Sequence, residues 1–302
     1  MPPADASVIV LAYRTTANAR ACIQSILAAE TRTSFEIILL LNGVGIAEAN
    51  RLGTLARTRI IRAPLNLGFS RGNNLAALQS KTEFIVFVND DARVEDGWLD
   101  ELLRTARLNP VAGAVGSCIL FPDGKLQEAG SVIWSDGTTA PIGRGDQTID
   151  GPAASVQDVD FCSANGLLVR RSTWDAVGGF DPSFYPAYYE DVDLCLAIRH
   201  RFGQRVLYEP RSRLRHSEAM SSDYDFRTFL FARNVRRLRQ KWSNELHAYP
   251  KPQPLASAKA ARRQFREAQA RILVIDDRPP DAGLGSGFGR FGEFFAQLRD
   301  RQ

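Results

Sequence analysis

Apolar and polar positions along the first 110 residues alternate between two periods. Ser7 to Tyr13 (SVIVLAY) is a short continuous apolar run, the pattern of a strand buried on both faces. Residues 17–29 then place Cys22, Ile23, Ile26 and Leu27 on one helical stripe. Phe35 to Leu41 is predicted as a second buried strand, closed by Asn42-Gly43, and Ile60-Ile61 as a short third. A helix is expected over Asn73–Gln79, a fourth strand over Phe84–Val88, and a helix over Trp98–Leu108 that stops near Asn109-Pro110. This strand–helix rhythm predicts a doubly wound, mostly parallel sheet flanked by helices. Ligands of such sheets bind beyond the carboxyl ends of the strands, where Tyr13, Asn42 and Asp91 fall.

The middle of the chain is less regular. Pro141 to Asp146 is glycine-rich and predicted as a mobile loop. Phe161–Arg170 reads as a strand and Ser172–Val177 as a short helix, with Ser172 its N-cap and Gly178-Gly179 its end. Glu190–His200 and the basic, amphipathic Phe226–Trp242 read as helices. Pro250, Pro252 and Pro254 signal a linker, followed by a polar helix and an apolar strand at 272–275. The expected organisation is a catalytic domain at 1–245, a linker and polar helix at 246–270, and a separate fragment at 271–302.

Composition narrows the class. The 302 residues are 44% hydrophobic and 24% charged, as in a folded domain, and no apolar run reaches the length of a membrane span. The start, MPPADASVIVLAY, has no basic leader and is not a signal peptide, so the expected location is the cytosol. Four cysteines at 22, 118, 162 and 195 show no metal-ligand spacing and are expected as reduced core thiols. The net charge of +4 conceals a split: residues 81–198 carry 19 acidic and 8 basic side chains, residues 199–241 carry 12 basic and 4 acidic. An acidic middle suits a cation. The basic stretch suits phosphates, nucleic acid, an anionic membrane face or simply a solvated helix.

Four constellations carry the chemistry. Asn89-Asp90-Asp91 puts two carboxylates at a strand end, where they either hold a divalent cation with a diphosphate or cap the following helix. Glu190-Asp191-Val192-Asp193 opens a helix, which favours carboxylates for the helix dipole alone. The aromatic run Phe184 to Tyr189 precedes it, however, and an aromatic wall beside carboxylates makes a sugar-sized pocket with a general base. His216 is a metal or phosphate contact, or structural. Asn66 to Asn74 has small residues for close backbone approach and Arg71 for an anion, but matches neither a Walker A nor a dinucleotide-binding pattern.

Together, in this order, the motifs resemble the inverting GT-A glycosyltransferases of family 2, in the rhamnosyltransferase-like branch that builds bacterial surface polysaccharide. The resemblance runs from Ser7 to Trp242 and is most specific at Gly178-Gly179-Phe180-Asp181 followed by Glu190-Asp191-Val192-Asp193-Leu194. It implies a GT-A fold and transfer from a nucleoside-diphosphate sugar to a glycan or lipid-linked glycan, with a divalent metal (Mg²⁺ or Mn²⁺) and no specific nucleic acid. It implies Asp191 as catalytic base, with Glu190, Asp193 and Tyr188 binding acceptor. Ala12, Tyr13, Asn42, Arg71, Asn74 and Asp90 would bind donor, and Asp91 and His216 the metal. The basic 199–241 stretch would offer a peripheral contact at the inner face of the membrane. One departure stands out. The second strand ends Leu40-Leu41-Asn42-Gly43 where the family often has Asp-Asn, so Asn42 substitutes in reading the base or the base is held otherwise. The tail from Arg271 to Gly287 resembles the opening strand and glycine loop of a family 4, GT-B transferase. The competing functions are a nucleotidyltransferase and a non-catalytic module binding sugar or nucleic acid.

Overall fold

The computed structural model describes residues 4–13, 16–218 and 224–253. The polar helix, the 272–275 strand and the GT-B-like tail lie outside the described residues.

The first half folds as its periodicities require. Strand β1 (Ala6–Tyr13), helix α1 (Ala17–Ala28), β2 (Phe35–Asn42), α2 (Ile46–Arg51), β3 (Thr58–Ala63), α3 (Gly68–Ala77), β4 (Phe84–Asn89), β5 (Ala92–Val94) and α4 (Trp98–Leu108) follow in order. The four long strands pair in parallel in the order β3-β2-β1-β4. On β1 and β2, Val8, Val10, Ile37 and Leu39 pack under α1 and α4, while Ile9, Ile38 and Leu40 face the opposite core. Burial on both faces is why these strands are apolar throughout rather than alternating.

The second half turns the sheet antiparallel and then parallel again. β6 (Ala112–Leu120) leads to three short strands, β7 (Leu126–Glu128), β8 (Ser131–Ile133) and β9 (Thr139–Pro141). Next come β10 (Gln157–Asp158), β11 (Leu167–Arg170), α5 (Arg171–Val177), α6 (Glu190–His200), β12 (Arg205–His216), α7 (Tyr224–Lys241) and α8 (Ser243–Leu246). β11 enters antiparallel between β4 and β6, and β12 runs parallel to β6. β12 also pairs antiparallel with β5, setting His216 opposite Ala92, one residue beyond Asp91. Topology alone thus joins two residues 125 positions apart in sequence.

Several expectations need correction. Helix α3 begins at Gly68, before the expected Asn73, because Asn66 Oδ1 accepts the Gly68 N–H and opens the turn. The strand expected over 161–170 is regular only from Leu167; Phe161 makes a single bridge to Ser131. Arg170, not Ser172, caps α5, while Gly178 closes it in the left-handed conformation as expected. The 141–146 segment is pinned: Ile142 is buried, and main-chain hydrogen bonds tie Ile142, Gly145 and Asp146 to Leu126, Ala129 and Gly130. The compact domain also continues past residue 245. Leu246 and Tyr249 are buried, His200 Nε2 lies 2.9 Å from the Tyr249 hydroxyl, and Pro250 accepts from Ser135. All four cysteines are buried free thiols.

Candidate active site

A cavity of 1410 Å³ opens at the carboxyl ends of β1, β2 and β4. Its walls come from Leu11, Tyr13, Asn42, Asn89, Asp90 and Asp91 on one side and from the 185–192 segment and α7 on the other. Gln127, Glu128, Ser163, Asn165 and His216 close it between them.

At one end stand Asp90, Asp91 and His216. His216 Nε2 lies 3.1 Å from Asp91 Oδ1, and Nδ1 lies 3.0 Å from Gln127 Oε1. A ring nitrogen and a carboxylate oxygen at that distance need a proton or a cation between them. With Nδ1–H donating to Gln127, Nε2 is the nitrogen left to ligate. Burial, reinforced by the Asp91 charge, pushes the Asp90 carboxyl up to about 6.

At the other end the α6 N-terminus presents Glu190 and Asp191. Asp191 Oδ1 accepts from its own helix at Val192 N (2.9 Å) and Oδ2 from Ala164 N (3.2 Å). Burial raises both carboxyls, and the Asp191 charge raises Glu190 further. Glu190 Oε2 has no partner, whereas both Asp191 oxygens accept main-chain N–H groups. The two main-chain donors favour the charged form at Asp191, while burial and the Asp191 charge disfavour it more strongly at Glu190, so the surroundings of the two neighbouring acids differ. Glu128, held by Ser163 N at 2.9 Å, is pushed up to about 7 by burial and the nearby Asp191 charge.

The segment before α6 is held under tension. Tyr188 and Tyr189 both have positive φ, 76° and 75°. Each such non-glycine residue costs about 1–3 kcal/mol unless its surroundings impose it. Helix α7 imposes it: the buried Asn234 donates to Ala187 O (2.9 Å) and Tyr188 O (2.7 Å), and Phe231 stacks on Tyr188 at 4.7 Å. Arg233 and Arg237 reach back to the carbonyls of Tyr185 and Ser183.

Four expected site residues lie elsewhere. Ala12 is in the core under α1, since alternation turns Leu11 and Tyr13, not Ala12, toward the cavity. Asn74 spends both ends of its amide on the Phe180 main chain, a staple between α3 and the Gly-Gly-Phe-Asp turn, and Asn73 lines the cavity instead. Arg71 lies 5.8 Å over the Tyr185 ring, outside the cavity wall. Asp193 accepts from Lys241 Nζ and Trp242 Nε1, both at 2.8 Å, because two residues of helix rotate it about 200° from Asp191. The other expected residues, Tyr13, Asn42, Asp90, Asp91, Tyr188, Glu190, Asp191 and His216, share the one cavity. Asn42 is there as a brace: it accepts from Leu67 N and donates to Asn66 and Gly68, leaving it 1% exposed. The close approach at Gly68 also differs from a phosphate loop. A Cβ there would lie 2.7 Å from the Tyr185 ring and 2.8 Å from Pro186 O, so the missing side chain admits the aromatic run.

Residues 7–162 match the profile of Glycosyl transferase family 2. The chain belongs to that family. It is 32% identical over 253 residues to the uncharacterized protein y4gI of Sinorhizobium fredii, covering 78% of this chain and 27% of that one. It is also 32% identical over 218 residues to the O-antigen biosynthesis protein RfbC of Myxococcus xanthus, covering 68% of this chain and 17% of RfbC. Over 154 residues it is 32% identical to the N-acetylglucosaminyl-diphospho-decaprenol L-rhamnosyltransferase of Mycobacterium tuberculosis, covering 47% of this chain and 50% of that enzyme. This family 2 chain therefore spans half or less of these relatives' lengths. Among solved structures, GalNAc-T7 with UDP, GalNAc and Mn²⁺ superposes with a TM-score of 0.65 at 13% identity, over 87% of this chain and 55% of that one. That likeness establishes the GT-A-like fold. Family and fold place the chain among the family 2 glycosyltransferases and support a transferase.

Proposed function

We propose that this glycosyltransferase moves a sugar, with inversion, from a nucleoside-diphosphate donor to a hydroxyl of a glycan or lipid-linked glycan, in building bacterial surface polysaccharide. The observation that carries the reading is one continuous cavity with the Asp91–His216 pair at one end and Asp191, held by two main-chain N–H donors, at the other. The O-antigen protein and the rhamnosyltransferase among the relatives support the acceptor class.

The residues fit a divalent metal. Among the described residues no three His, Cys, Asp or Glu side chains converge on one point. Mg²⁺ and Mn²⁺ sites that also bind diphosphate need fewer, because phosphate oxygens and water complete the shell. Asp91 and His216 would hold the ion, in the gap that otherwise requires a proton, and it would neutralise charge on the leaving diphosphate. Asp90, at the same end, would contact the donor, and Tyr13 would line the base. The buried amide nitrogens of Gln127 and Asn165, unpartnered on the cavity wall, would donate to sugar or phosphate oxygens.

At the acceptor end, Asp191 takes the proton of the attacking hydroxyl as its oxygen bonds to the anomeric carbon and the bond to the diphosphate breaks. The two N–H donors fix the carboxylate's orientation without consuming its basicity, since each oxygen keeps a free lone pair. Glu190 and Tyr188 border the acceptor. The catalytic unit is the domain described, in which, among the described residues, no helix is long and apolar enough to cross a membrane. The test is calorimetric titration with UDP, GDP and dTDP, with and without Mn²⁺. Tight binding of one nucleotide only with metal is expected, and equal binding in EDTA would sink the metal assignment.

A further inference from the structure

The basic 199–241 stretch resolves into two unlike parts. On β12 and its approach the arginines meet carboxylates: Arg199 and Arg205 on Asp158, Arg211 on Glu209 and Glu101, Arg215 on Glu95. Helix α7 differs. It carries six basic residues and one acid, Asp225, and at its far end Lys241 pairs with Asp181 and Asp193. Arg233 and Arg237 bond neutral carbonyls rather than carboxylates, and burial, with the Arg237 charge beside it, lowers Arg233.

The same helix exposes large apolar side chains where a soluble surface would not. Phe226 is 49% and Phe229 58% exposed. At 100° per residue, Phe226, Phe229, Arg233 and Arg236 fall within about 80°; Phe229 and Arg236 stand clear of the cavity, while Phe226 and Arg233 line its wall and bring it up to the stripe. An exposed aromatic patch continuous with arginines is the pattern of a helix lying in a lipid headgroup layer. Its opposite side, through Asn234 and Phe231, clamps the 187–190 segment that carries the proposed base.

We propose that α7 docks the enzyme on an anionic lipid bilayer through exposed Phe229 and Arg236, setting the acceptor end of the cavity, walled there by Phe226 and Arg233, at the membrane surface. The proposal deepens the lipid-linked acceptor reading and rests on it. Charge complementarity selects the partner: a bilayer of anionic headgroups receives the arginines while the phenylalanines enter at the headgroup–acyl boundary.

The experiment is co-sedimentation of the full chain with vesicles of phosphatidylcholine containing about one-third phosphatidylglycerol, against pure phosphatidylcholine. The variant is Phe229→Ser with Arg236→Glu; both side chains are exposed and neither lines the cavity, so folding and nucleotide binding are left intact. Expected is binding to the anionic vesicles that 0.5 M NaCl weakens, and that the variant weakens at least about tenfold, with Mn²⁺-dependent nucleotide binding unchanged. Equal sedimentation of variant and wild type, or none by either, would overturn the docking surface. So would a wild-type dimer in light scattering that the variant dissociates, since the stripe would then face a second copy. Vesicle binding without any nucleotide binding, with or without Mn²⁺, would refute the transferase site and leave the docking surface standing.

Discussion

Replacing Asn234 by alanine tests whether α7 holds the active-site segment in its productive shape. The side chain is fully buried and donates to two carbonyls, Ala187 O and Tyr188 O. Each neutral hydrogen bond contributes a net 0.5–1.5 kcal/mol, so their loss removes about 1–3 kcal/mol of restraint. Against it stand the two left-handed tyrosines, storing about 2–4 kcal/mol together at the lower end of the usual range. The two amounts are comparable, so once the clamp is gone the segment relaxes and its carbonyls turn to water. Relaxation returns the strain, and the global cost is small. The melting temperature should fall by only a few degrees, about 2–4 °C for each kcal/mol that is not recovered. Function should fall much further, because Glu190 and Asp191 begin at the next residue. Steady-state transfer kinetics should show kcat reduced more than about tenfold, with metal-dependent nucleotide affinity unchanged. The opposite pattern, full kcat with a stability loss near 3 kcal/mol in urea denaturation, would mean the tyrosines are held by other contacts and that Asn234 serves only the fold.

Asp191→Asn should leave nucleotide binding intact and lower transfer by about 10²–10⁴-fold, while Glu190→Gln, whose carboxyl burial pushes toward the neutral form, should cost far less; transfer assays that rank them the other way would exchange their roles. Asp91→Ala should abolish the Mn²⁺ dependence of nucleotide binding without unfolding the chain, as followed by calorimetry and circular dichroism. Glu128 binds a proton more tightly folded than unfolded, so its presence lowers stability progressively as pH climbs from the ordinary carboxylate range toward about 7. Glu128→Gln should therefore raise the melting temperature at pH 8 and change it little at pH 4, and an equal effect at both would disprove the burial argument. The acid limb of kcat should lie above the ordinary carboxylate range, following the raised Asp191.

How far the sequence was readable depends on the distance over which each signal acts. The strands β1, β2 and β4 declared themselves because apolar runs bounded by polar ends encode local burial, and the carboxyl-end rule then pointed to Tyr13, Asn42 and Asp91. Asp193 sits off the cavity although its helix was foreseen: consecutive acids read as one cluster, but helical rotation separates them, and about 100° per residue could have shown it. Ala12 and Asn74 likewise lie one residue from a position that faces the cavity. Glu128, Gln127 and Asn165 had no local mark. They reach the site from short strands and loops whose pairing is set by long-range contacts. Asn234 was hidden inside a helix whose sequence advertises only charge.

The dimensions of the cavity constrain how the enzyme turns over. At 1410 Å³ the chamber exceeds the usual range of about 300–1,000 Å³ for sites that enclose one small ligand. Donor and acceptor can therefore lie in it together, and the sugar need never be parked on the protein. Double-reciprocal plots at several fixed acceptor levels should then intersect rather than run parallel, the mark of a ternary complex. The same roominess admits water to the anomeric carbon whenever the acceptor is absent, so the resting enzyme should slowly waste its donor and stop doing so as acceptor fills the chamber.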